Sequence, residues 1–83
     1  NKEFKALARM IIQAFKDRPC ADCGLSYPPC VMDFDHVSGA KDKNISTMVT
    51  CGSINKLLEE ILKCEVVCAN CHRVRTHKRA AMA

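Results

Sequence analysis

The apolar positions of this chain fall into helical runs and short extended ones. Phe4, Leu7, Ala8, Ile11, Ala14 and Phe15 recur at i, i+3, i+4, i+7 spacing, which predicts an amphipathic helix from Lys2 to Lys16. Lys5, Arg9 and Gln13 fall off the apolar stripe, and Pro19 marks the end of the helix. The stripe suits packing on the domain core, a homodimer seam, or a link to a further domain. Cys30-Val31-Met32-Asp33-Phe34 reads as a short strand, with Met32 and Phe34 on one face and Val31 and Asp33 on the other. Ser53 is an N-cap residue ahead of Ile54, Leu57, Leu58, Ile61 and Leu62. This predicts a second helix, Ser53 to Lys63, with Glu59 and Glu60 on its solvent side. Glu65-Val66-Val67 reads as a second strand leading into Cys68, and the segment from His72 to Arg79 as a helix with a basic flank. Between Ser38 and Gly52 the chain is polar, and a loop with one short turn is expected. Its Lys41 and Lys43 either reach phosphates or are simply solvated.

Length changes the picture. With 83 residues the chain is one domain by expectation, and a domain this small commonly needs a staple. The first residue is Asn1 and not Met, so a fragment or a processed chain is expected. No basic segment followed by a long apolar run opens the sequence and no apolar run reaches ~18 residues, so neither a secretory signal nor a membrane span is expected. The net charge is +4, with thirteen Lys and Arg. This is compatible with a polyanionic partner without requiring one.

The seven cysteines offer the staple. Their number is odd, and four of them form the C-x-x-C pairs Cys20/Cys23 and Cys68/Cys71. Both facts favour metal binding in a reducing cytoplasm over a disulfide framework. The pairs are 44 residues apart, so a folded unit lies between the two knuckles. Together they predict a closed Cys₄ zinc site, which is structural in kind. A redox role for Cys20/Cys23 lacks a surrounding βαβ pattern. Gly24 after the second cysteine predicts a positive φ. Cys30, Cys51 and Cys64 have no partner at ligand spacing and read as small buried apolar residues or free thiols.

Asp35-His36 follows the first strand, and His72 follows Cys71 directly. A carboxylate beside an imidazole suits phosphodiester hydrolysis. A divalent metal neutralises charge on the phosphate, and a neutral imidazole takes a proton from water. An isolated Asp-His pair is weak support; the constellation with two knuckles is specific.

C-x-x-C, a strand ending in Asp-His, and then C-x-x-C-His with basic residues resembles the HNH endonuclease family, over roughly Cys20 to His77. The resemblance implies a small α+β fold: a ββα-metal core stapled by the Cys₄ zinc site, with the N-terminal helix as an addition. Residues 1–18 would be that helix, 19–79 the nuclease domain and 80–83 a tail. It further implies His36 as general base, and Asp35 and His72 as ligands of one catalytic Mg²⁺ or Mn²⁺. The substrate would be DNA. Many members carry a middle Asn near where this chain has Lys63, and Asn44, Asn55 and Asn70 do not match that position. A backbone carbonyl near Lys63 is expected to orient His36 instead. Arg73, Arg75, Lys78 and Arg79 follow the metal ligand and either grip backbone phosphates or form a solvated basic tail. His77 is off the i+4 spacing from His72 and reads as a phosphate contact or an exposed residue. The rival function is a non-catalytic zinc module that binds nucleic acid or protein. Such a module has no need of Asp35, His36 and His72 together.

Overall fold

A computed structural model describes residues 2–38, 45–49 and 53–82. The first helix, α1, runs Lys2–Lys16 as its spacing predicts, with Glu3 in the first turn and Lys16 in the last, each complementing the helix dipole. A 3₁₀ turn, Pro29–Val31, precedes strand β1, Met32–His36. The short α2, Ile45–Met48, and α3, Ile54–Ile61, lead to strand β2, Cys64–Cys68, and the last helix, α4, Ala69–Met82.

The two strands pair antiparallel, with Met32 opposite Cys68 and His36 opposite Cys64. Two strands alone are marginal in water, so packing on both faces must hold them. Cross-strand partners share a face, which puts Met32, Phe34 and His36 on one side and Asp33 and Asp35 on the other. Two apolar clusters result. In the first, Ala8 of α1 meets Ile45, Met48, Leu57 and Ile61, with Phe4, Ile11, Ile12 and Phe15 against it. The second gathers Met32, Val66 and Val67 around Cys20 and Cys68. Phe34 packs on both clusters and joins them. Leu57, with no exposed surface, contributes roughly 2 kcal/mol by burial. α1 thus packs on the core through its apolar stripe, while Leu7 and Met10 stay exposed.

Several local expectations shift. β1 starts at Met32, two residues later than its pattern suggests, because the fixed φ of Pro29 tightens Pro29–Val31 into a turn. Cys30 is therefore exposed rather than buried. Ser53 caps α3 as expected, accepting from the Lys56 amide at 3.2 Å. The helix stops at Ile61, and Leu62 beyond it is 76% exposed. Glu60, expected on the solvent side, is buried at 2% exposure. It shares the stripe of Leu57 and Ile61, at i+3 and just before i+4. The expected loop contains the α2 turn, while Lys41, Lys43, Asn44 and Cys51 lie outside the described residues.

Candidate functional site

The two C-x-x-C pairs meet. One sulfur from each of Cys20, Cys23, Cys68 and Cys71 lies within 4.8 Å of every other. Four sulfurs at ~2.3 Å from a zinc ion sit about 3.8 Å apart, so the cluster needs little contraction to hold a metal such as zinc. The local chain prepares it. Gly24 takes φ +74°, and its amide donates to the Cys20 carbonyl at 2.9 Å, closing the first knuckle. The second knuckle is the step from β2 into α4, where the Cys71 amide donates to the Cys68 sulfur at 3.4 Å. The Cys68 amide donates to the Cys20 sulfur at 3.3 Å, tying one knuckle to the other.

These amides matter for charge. Burial would push the Cys20 thiol up, but amides of Cys23, Cys68 and Asp22 outweigh it and bring Cys20 down to about 6. Cys71 is pushed up to about 12, first by its hydrogen bond to Cys68 and then by burial. A cation binding at the four sulfurs would displace the protons they carry.

Asp35 is buried, 4% exposed, with both carboxylate oxygens engaged. Arg79 donates to Oδ1 at 2.8 Å and to Oδ2 at 2.7 Å. Arg75 donates to Oδ2 at 2.8 Å, grips Asp22 of the first knuckle with two bonds of 2.7 Å, and meets Glu65 at 2.9 Å. The Arg79 hydrogen bonds, above all, hold the Asp35 carboxyl down at about 2. His72, in the first turn of α4, reaches the same carboxylate. Its Nε2 is 3.6 Å from Asp35 Oδ1, and its Nδ1 is 3.0 Å from Asp33 Oδ2. Asp33, His72, Arg73, Thr76 and His77 line an open groove beside this pair.

His36 is elsewhere. It leaves β1 on the other face, where its Nε2 lies 2.7 Å from Glu60 Oε2. Lys63 donates to the second oxygen of Glu60 at 2.8 Å. The Lys63 carbonyl accepts from the Val37 and Ser38 amides at 2.8 and 3.2 Å, so it anchors the end of the strand.

The structure therefore brings together the four cysteines, and separately Asp35 with His72. It does not bring His36 to the Asp35 face. Of the expected DNA contacts, Arg75 and Arg79 are paired within the protein, whereas Arg73 and Lys78 are exposed. His77 is exposed and faces the groove. Sequence reasoning missed Glu60, Asp33 and Asp22. Glu60 was detectable from its place on the apolar stripe, and Asp33 from its alternation with Asp35. Asp22 carried no signal, since its partner is Arg75, 53 positions away. No family profile, curated protein or solved structure matches the chain. Among the described residues no helix is long and apolar enough to cross a membrane.

Proposed function

We propose that the protein is a metal-dependent endonuclease of the HNH kind, hydrolysing phosphodiester bonds in DNA. The observation that carries this reading is the approach of Asp35 and His72 to 3.6 Å, with His72 locked behind the cysteine knuckle. A Mg²⁺ or Mn²⁺ ion at ~2.1 Å from each ligand holds neighbouring ligands about 3 Å apart, so this carboxylate and imidazole fit one ion after a small closure. When bound, the ion supplies charge neutralisation on the phosphate and the leaving oxygen. Asp35 would have to exchange a guanidinium contact for it.

In this reading His36 takes the proton of the attacking water at Nδ1, because Nε2 is held by Glu60. His36 is the last residue of β1 and lies on the face opposite Asp35, so in this reading the strand end has to turn for both to serve one phosphate. Glu60 fixes the ring, the task the family assigns to its middle Asn. Arg73 and Lys78, free of ion pairs among the described residues, contact phosphate.

A second reading has an observation of its own. Asp35 is saturated by Arg75 and Arg79, and His36 is committed to Glu60. Both are what a non-catalytic zinc module would use as structural ion pairs. Plasmid nicking with Mg²⁺ or Mn²⁺ separates the two. We expect nicking by the zinc-loaded chain and a loss of ~10²–10⁴-fold in His36→Ala that extra metal does not restore. Asp35→Ala and His72→Ala should instead regain part of their rate in excess Mn²⁺. No nicking under either metal leaves the binding module as the reading.

A further inference from the structure

We propose that the exposed face of α1 is a rail for the phosphate backbone of duplex DNA. Lys2, Lys5, Arg9, Gln13 and Lys16 are separated by steps of three, four, four and three residues. At 3.6 residues per turn these positions fall within an arc of about 80°. The four cations thus form one line along the helix. From Lys2 to Lys16 the line is about 21 Å long.

Charge balance supports the assignment. Glu3 and Asp17 fall outside the arc, and among the described residues none of Lys2, Lys5, Arg9 and Lys16 enters an ion pair. On α4, by contrast, Arg75 and Arg79 are spent on Asp35, Asp22 and Glu65. The larger share of unpaired cationic charge therefore sits on α1. Lys5 and Lys16 are half-buried beside the apolar stripe. Membrane binding is the poorer match, because the apolar stripe that would enter a bilayer is already packed on α2 and α3. The rail also ends at the right strand. Lys16 Nζ sits 5.4 Å over the Phe34 ring, and Phe34 shares its β1 face with His36. In naming DNA as the polyanion, this inference rests on the nuclease reading.

The test is fluorescence anisotropy of a labelled duplex of roughly 20 bp, with zinc-loaded full-length chain, Mg²⁺ and Mn²⁺ omitted, across ~50–200 mM NaCl. The triple variant Lys2→Gln/Lys5→Gln/Arg9→Gln should flatten the slope of log K against log salt by about 2 to 3 and weaken binding at least ~10-fold. Lys56→Gln, exposed on α3, should change neither. Circular dichroism and zinc content confirm that each variant is folded. An unchanged slope and affinity in the triple variant, or no duplex binding by the parent, overturns the rail. So does a parent that binds phosphatidylserine vesicles through these residues while duplex binding ignores them. Plasmid nicking by the same proteins keeps the two ideas apart. Nicking with an unaltered salt slope sinks the rail alone, whereas a flattened slope without nicking sinks the nuclease alone.

Discussion

The two faces of β1 carry two different solutions to the same problem. On one face the buried Asp35 carboxylate is neutralised by Arg75 and Arg79 from α4. On the other, the buried Glu60 carboxylate is met by His36 and Lys63. Arginine is always charged, and its planar fork can bind both carboxylate oxygens, so the Asp35 network is permanent and geometrically fixed. The Glu60 network instead sets an imidazole nitrogen and a single lysine ammonium on separate oxygens, without a planar fork. Asp35 and His36 are adjacent in the chain, yet the pleat sends them into these separate environments. One face fastens the knuckles to the sheet through Arg75 and Asp22. The other ties the end of β1 to α3 through His36 and Glu60.

The largest way to break this comparison is to remove what both networks hang from. Cys68 ends β2, and its amide and sulfur join the knuckles. Cys68→Ala should release zinc and unfold the domain, taking both faces with it, since metal binding and folding are coupled in small stapled domains. Elemental analysis and far-UV circular dichroism measure this. A folded, zinc-bearing Cys68→Ala protein would show that the sulfur cluster is not the staple.

A smaller effect sharpens the contrast. Asp35→Asn keeps the shape but removes the charge that two guanidiniums share, and should cost about 2 kcal/mol in urea unfolding at neutral pH. Glu60→Gln keeps a hydrogen-bonding amide against His36 and should cost about 1 kcal/mol. The reverse order of midpoints would mean that the Glu60 face is the more tightly built one.

What the sequence makes legible follows from the range of each interaction. The helical stripes, the Ser53 cap and the positive φ at Gly24 are local, so spacing and residue type suffice for them. The C-x-x-C pairs carry their chemistry in four residues each, which is why the sulfur cluster is readable across 44 positions. The side-chain networks are not local. Which face Asp35 takes depends on the register of β1 against β2, and Pro29 moves the start of β1 by two residues. The pairing of Arg75 with Asp22 requires the knuckle and α4 to be already docked. The basic tail therefore reads as free phosphate-binding charge in one dimension, whereas two of its arginines are spent in three.

The last and finest test uses pH to isolate the Asp35 face. The Asp35 carboxyl titrates at about 2 in the fold, below its ordinary value of 3.8, chiefly because of Arg79. A depressed carboxyl adds stability that is fully present above ~3.8 and is lost as pH falls toward about 2. The shift corresponds to about 2 kcal/mol. Acid would also protonate the four cysteine sulfurs and release a metal held there, which would destabilise parent and variant alike. The informative quantity is therefore the difference in unfolding free energy between the parent and Asp35→Asn. It should stay near its neutral value down to about pH 5 and shrink steadily below pH ~4. A difference still at its full neutral value at pH ~2.5 would mean that the cost of Asp35→Asn does not come from the carboxylate charge. No difference even at neutral pH would mean that Asp35 titrates as an ordinary exposed carboxyl, and the contrast between the two faces of β1 would fall with it.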